Sequence, residues 1–169
     1  MYTFKENKIV RDIAGKRAVI MLCLGLGAAS LFAQDPGQLN LVKPAIADRD
    51  LVIPIAEVTA NAIFYPVDIQ GTRLEIIAVK APDGTIRTAF NTCQVCYGSG
   101  RGFYKQQGTV LVCQNCGNRF RMSQVEMRSG GCNPVPIFAA NKTVDSKNIT
   151  IAKDFLVRAK SIFARWKRI

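Results

Sequence analysis

Three stretches decide how this chain is read: AFNTCQVCYGSGRGF (residues 89–103), VLVCQNCGNRF (110–120) and GGCNPVPI (130–137). They set five cysteines in the order Cys93-x2-Cys96-x16-Cys113-x2-Cys116-x15-Cys132. Two residues between the cysteines of a pair allow a tight turn that aims both sulfurs at one ion. Two such pairs at this separation form a strong metal-binding signature. Backbone N–H groups of the turn can point at sulfur and stabilise thiolate charge. Gly117, directly after Cys116, can take the positive φ that the turn exit needs, and Gly98 can do similar work after Cys96. The short apolar run Val110–Val112 reads as a strand that delivers the second pair beside the first, as in a ribbon or knuckle.

Cys132 stands apart. Gly130-Gly131 before it lets the backbone come close to a neighbour, and Asn133-Pro134 after it fixes an extended exit. It reads as a further ligand or as a free thiol beside the site. Four-sulfur ligation by the two CxxC pairs is complete without it, whereas a polynuclear centre could use all five sulfurs. The two pairs are therefore expected to converge on one site, with Cys132 next to it.

Four thiolates around one divalent ion leave a net negative site. Arg101, Lys105, Arg119 and Arg121 are spaced to offset that charge, or are simply solvated. Tyr97, Phe103, Tyr104 and Phe120 interleave with the cysteines and read as a small apolar shell.

The chain has no His. That excludes Ser-His-Asp and Cys-His catalysis, HExxH zinc sites, Rieske clusters and CxxCH haem attachment. No acid/base pair or nucleophile–base arrangement is visible, so no catalytic residue is assigned and the chain does not read as an enzyme. The rivals to a metal are redox-active CxxC thiols and structural disulfides, although the five cysteines that follow the N-terminal hydrophobic segment cannot all pair within one chain.

Outward from the cysteines, strand signals crowd the middle of the chain. Leu51–Val58 is apolar and β-branched, with Pro54 confining it to a sheet edge. Ala62–Tyr65, Arg73–Lys80 and Ile86–Phe90 follow, the last two joined by the turn Pro82-Asp83-Gly84-Thr85. At the end, Ile151, Phe155, Ala159, Ile162, Phe163, Trp166 and Ile169 recur at spacings of three and four, with Arg158, Lys160, Arg165, Lys167 and Arg168 between them. That pattern predicts a basic amphipathic helix, packed on the β layer or meeting an anionic membrane or a partner.

At the start, Lys5, Lys8, Arg11, Lys16 and Arg17 precede the uncharged run Ala18–Ala33, and Gln34, Asp35, Pro36 and Gly37 follow it. A basic head, an apolar run and a polar exit describe an export signal, or a single membrane anchor with the basic residues on the cytoplasmic side. Cys23 belongs to this segment and not to the site. The net charge of +11 is concentrated at the two ends, leaving residues 34–140 nearly neutral. A nucleic-acid reader concentrates basic residues on its reading surface, so no nucleic-acid partner is expected.

The combined cysteine pattern, with IRTAFNTC upstream and CNPVPI downstream, resembles the FtrD-like membrane iron–sulfur proteins from about Leu51 to Ile151. The resemblance implies an exported, membrane-associated protein with an iron–sulfur cluster or iron, its matching cysteines being Cys93, Cys96, Cys113, Cys116 and Cys132. It also implies a link to ferrous-iron uptake, with an iron permease and periplasmic metal-binding proteins as partners. A single hydrophobic segment means that this chain is not itself a multi-pass permease. The same thiolates would equally hold zinc.

The expected architecture is α+β. It comprises an export signal or anchor at 1–33, a linker at 34–50, a β-rich Cys-ligated metal domain at 51–152 and a basic C-terminal helix at 153–169. The expected function is electron transfer or metal handling at the extracytoplasmic face of the cell membrane. The alternatives are a structural zinc ribbon that presents an interaction surface and a thiol–disulfide oxidoreductase.

Overall fold

The structure is a computed structural model that describes residues 41–168. The signal or anchor segment read at 1–33, with Cys23, lies outside the described residues, as do the first residues of the linker and Ile169. Among the described residues no helix is long and apolar enough to cross a membrane.

The chain forms β1 (Leu41–Val42), β2 (Ile46–Ala47), β3 (Leu51–Pro54), β4 (Ile63–Ile69), β5 (Thr72–Lys80) and β6 (Ile86–Cys93). It continues with β7 (Tyr104–Gln107), β8 (Val110–Cys113), β9 (Arg119–Arg121), β10 (Pro134–Pro136), β11 (Thr143–Val144) and β12 (Asn148–Ile151). The helix α1 (Lys153–Arg158) ends the regular structure. The fold is a small β-rich domain with one short C-terminal helix.

A central antiparallel meander, β4-β5-β6, is extended by β10 at one edge and by β1 and β2, both parallel to β4, at the other. Its alternation sorts side chains to two faces. On one face Ile63, Tyr65, Val67, Leu74, Ile76, Ala78 and Phe90 pack with Leu51 and Ile53 of β3, Ile149 and Ile151 of β12, and Leu156 and Phe163 of the C-terminal segment. On the other, Phe64, Ile77, Val79, Ala89 and Cys93 pack with Tyr104, Leu111, Cys113 and Phe120 of the sheet β7-β8-β9. Both faces are covered, which is why β5 reads as an almost unbroken apolar run. Ile76 and Ile77 point to opposite faces and neither is exposed at all. Burial of each is worth roughly 1.5–3 kcal/mol.

The structure changes several expected boundaries. The segment read at 51–58 is a strand only to Pro54, which lies on edge strand β3, and a 3-10 turn occupies Ile55–Glu57. The strand expected at 62–65 runs on through Pro66 to Ile69. The strand expected to end at Phe90 continues to Cys93 and so delivers the first cysteine directly from the central sheet. Part of the stretch read as a linker pairs with β4 through β1 and β2.

The long C-terminal helix is not formed. Ile151 belongs to β12, and α1 spans six residues before a 3-10 turn at Ala159–Phe163. The spacing of three between Phe163 and Trp166 suits the tighter turn. Trp166 donates from Nε1 to the Asn91 carbonyl at 2.7 Å, and the Lys167 N–H donates to the Gly100 carbonyl at 2.8 Å. These anchors draw the chain off a straight helical path.

Tyr65 lies in the core with its hydroxyl buried and without a hydrogen-bond partner among the described residues. Burial, helped by the nearby Glu57 carboxylate, pushes its phenol up to about 12. The folded protein therefore keeps this proton at pH values where the unfolded chain loses it, and stability falls as pH rises from the ordinary tyrosine value through about 12. Tyr65→Phe removes an unsatisfied hydroxyl and is expected to raise stability by about 1 kcal/mol. It should also flatten the alkaline limb. Urea unfolding at neutral pH and above pH ~10 checks both.

Candidate metal centre

Five cysteines are present in the described residues and all are free thiols. The sulfurs of Cys93, Cys96, Cys113 and Cys132 all lie within 4.8 Å of one another. Cys116 is outside this mutually close set, but its sulfur is 2.9 Å from that of Cys132, which is 3.3 Å from Cys93. The geometry thus sets Cys132, rather than Cys116, among the four.

Each CxxC turn behaves as a knuckle. The Cys96 N–H donates to Cys93 Sγ at 3.4 Å, and the Val95 N–H also points at that sulfur. The Asn115 and Cys116 N–H groups do the same for Cys113. Gly117 leaves the second turn with φ +74. After the first turn it is Gly100, with φ +79, and not Gly98, that adopts the left-handed conformation. The chain then crosses close to itself. A Cβ on Gly102 would stand 2.5 Å from both the carbonyl carbon and oxygen of Cys96. Gly102→Ala should therefore displace the first knuckle, lower thermal stability and reduce bound metal. Elemental analysis beside a melting curve checks this.

The Gly130-Gly131 pair does not make the close approach expected of it. A Cβ on either residue would meet nothing within 4 Å. Both have positive φ, +98 and +74, so they serve the turn that presents Cys132.

Side chains dock the pieces together. Asn91, two residues before Cys93, accepts from the Tyr104 N–H at 2.7 Å and donates to the Tyr104 carbonyl at 3.2 Å and to Glu75 Oε1 at 2.6 Å. Tyr104 is buried, and its hydroxyl donates to the Cys132 carbonyl at 3.0 Å while lying within hydrogen-bonding reach of Cys93 Sγ. The loop before Cys132 is pinned to β6 in the same manner. Arg87 donates to the Ser123 and Val125 carbonyls, and Glu126 accepts from the Thr88 N–H at 2.7 Å and from Lys142 Nζ at 2.6 Å. Sequence reading missed Asn91, Glu126 and Lys142.

Tyr104 and Phe120 pack with the cysteines as expected, whereas Phe103 is buried against Trp166 and Tyr97 is exposed. Arg101, Lys105, Arg119 and Arg121 are exposed, and no hydrogen bond joins any of them to a cysteine among the described residues. The direct contacts to the Cys93 and Cys113 sulfurs come from backbone N–H groups.

Without metal the thiols are unequal. Burial raises Cys93, but the nearby Tyr104 hydroxyl and the Cys96 and Val95 N–H groups outweigh it and hold the thiol below its ordinary value. Burial pushes Cys113 up to about 12 and raises Cys96 and Cys132 as well, the latter helped by the neighbouring Cys116 and Cys93. The exposed Cys116 is held down at about 7 by the hydrogen bond from the Cys132 thiol and by the Asn118 N–H. In reduced, metal-free protein, iodoacetamide should modify Cys116 first, with a rate that drops as pH falls through about 7. Peptide mapping by mass spectrometry identifies the residue. Earlier labelling of Cys96 or Cys113 would contradict this ordering.

The donor set suits a thiophilic ion. A tetrahedral ion with metal–sulfur bonds of about 2.3 Å separates its sulfurs by about 3.8 Å, so four sulfurs within 4.8 Å already surround the volume of one ion. Buried Gln94 Nε2 has no hydrogen-bond partner among the described residues, while its Oε1 accepts from the Gly130 N–H at 2.8 Å. When bound, thiolate-ligated iron supplies a one-electron couple whose potential is set by such donors and by burial.

Fold and site together define a β-rich protein with a cluster of cysteines that fits a metal-binding centre. The chain belongs to the family described as membrane iron-sulfur containing protein, FtrD-like, which matches residues 58–163, more than half its length. No curated protein and no solved structure matches the chain.

Proposed function

We propose that this protein carries a thiolate-ligated iron or iron–sulfur centre and acts in one-electron transfer or metal handling outside the cytoplasm, in support of ferrous-iron uptake. The observation that carries this reading is the mutual approach of Cys93, Cys96, Cys113 and Cys132 to within 4.8 Å. Cys116 supplies a fifth sulfur at its edge. Membership of a membrane iron–sulfur family supports iron over other thiophilic metals. In this reading residues 1–33 direct or anchor the chain at the membrane, the β-rich domain acts on the extracytoplasmic side, and an iron permease and periplasmic metal-binding proteins are its partners.

A second reading, a structural zinc ribbon, is favoured by the two similar N–H-lined knuckles, which suit a closed tetrahedral ion equally well. Metal analysis and visible absorption of anaerobically purified full-length protein separate the two. Iron with sulfur-to-iron charge-transfer bands is the expected result, and Cys93→Ser should abolish them. Stoichiometric, colourless zinc would establish the ribbon. Absence of any metal, with all six cysteines of the chain titrating as thiols, would overturn both and leave a thiol–disulfide role.

A further inference from the structure

We infer that Cys116 is the thiol through which metal is loaded onto and released from the centre, standing in for Cys132 as a ligand while the exchange takes place. The inference rests on the metal-centre reading above and assigns separate tasks to five sulfurs that a single list of ligands would treat alike.

The sulfurs form a path from solvent to the interior. Cys116 is exposed, Cys132 is partly buried, and Cys93, Cys96 and Cys113 are buried. The consecutive contacts along that path are 2.9 Å, from Cys116 to Cys132, and 3.3 Å, from Cys132 to Cys93. Cys116 also lies within hydrogen-bonding reach of Cys113 and Cys96, so it borders sulfurs of the same set that Cys132 completes.

Cys132 is also the ligand with the weakest local support. Two backbone N–H groups face Cys93 and two face Cys113, the Asn115 side chain donates to Cys96, and the Asn118 N–H faces Cys116. Among the described residues the hydrogen-bond partners of Cys132 Sγ are the two neighbouring thiols, and no backbone N–H donates to it. Donors stabilise a thiolate ligand, so the ligand without them is the one displaced at least cost. Its chain setting agrees. Cys93 ends a strand of the central sheet and Cys113 ends β8, whereas Cys132 follows two glycines with open space about them.

The step balances without a redox partner. A metal–sulfur bond forms to Cys116 as the metal–sulfur bond to Cys132 breaks. The proton leaving the Cys116 thiol passes to the Cys132 sulfur across their 2.9 Å contact. Net charge, metal oxidation state and proton count are unchanged. An acceptor ligand in solvent then meets the metal on its Cys116 side instead of having to reach three buried sulfurs.

The test uses full-length protein in detergent, reduced, loaded anaerobically with one equivalent of Co²⁺, and then challenged with excess EDTA. The Co²⁺ absorption reports the number of thiolate ligands, and its decay reports release. Cys116→Ser should keep the wild-type stoichiometry and four-thiolate spectrum but release Co²⁺ about tenfold more slowly, the scale on which groups beside metal ligands act. Cys132→Ser should also show four thiolates, because Cys116 takes the vacated place. The double variant should lose one thiolate. A thiolate lost from Cys116→Ser alone, an unchanged release rate in that variant, or three thiolates in Cys132→Ser would each overturn the inference while leaving a metal centre in place. If the wild type takes up no Co²⁺, the metal-centre reading fails and the inference fails with it.

Discussion

The exchange of hydrogen bonds between the Asn91 side chain and the backbone of Tyr104 is the joint on which the centre depends. Asn91 uses one carbonyl and one amide, the pair of groups a neighbouring strand would offer. It thereby continues the hydrogen bonding of the central sheet into a sheet that is not part of it. Without this joint, the distance between Cys93 on β6 and Cys113 on β8 would rest on apolar packing and on fewer polar contacts, among them the Cys93 N–H to the Gly102 carbonyl. Packing tolerates small slides, whereas two hydrogen bonds of fixed direction do not. Gln106, two residues along the same strand, makes a second joint by accepting from the Ala62 N–H at 2.7 Å.

Those joints have a cost that other groups offset. Asn91 and Glu75 are nearly inaccessible polar side chains in the face that packs on the cysteine sheet. An unpartnered polar group there would cost about 1–3 kcal/mol. Asn91 has partners for both of its polar ends, and the Glu75 carboxylate receives Asn91 and the Lys167 ammonium, the latter at 3.3 Å. Lys167 also lies over the rings of Trp166 and Phe103, at 4.1 and 5.2 Å from their centroids. The C-terminal residues are thus part of the support of the centre. Trp166 bonds the strand that ends in Cys93, and Lys167 bonds both the loop that leaves Cys96 and the carboxylate beneath Asn91.

Charge is handled locally at the sulfurs. Bringing several thiolates together is unfavourable unless the metal and fixed dipoles compensate. The knuckle N–H groups and the Tyr104 hydroxyl are positioned before any ion arrives, so little reorganisation is required of them. The surface cations near the cysteines in sequence take no part in these contacts. Their charge acts at long range and is screened by salt, unlike the buried dipoles.

The sequence by itself determined the class of site and the longer strands, β4, β5 and β6 among them. CxxC spacing is a local property: two residues between cysteines force a turn whatever surrounds it, so the knuckles at Cys93–Cys96 and Cys113–Cys116 were legible. Apolar runs such as Leu74–Val79 were legible as strands because β-branched residues with both faces covered have few other places to go. The family match over residues 58–163 agrees with that reading. Tertiary structure alone decided which sulfurs meet. Cys132 joins the mutually close four, and Cys116 turns to solvent, because the loop before Cys132 is tied to β6 by Arg87, Thr88 and Glu126, residues distant in sequence from the cysteine they position. The C-terminal helix failed for the same reason. Periodicity promised a long amphipathic helix, but Trp166 and Lys167 gained partners on β5, β6 and the first knuckle that a straight helix would not reach. Local patterning records which side chains want burial, and only the assembled sheet supplies the partners that choose between two ways of burying them.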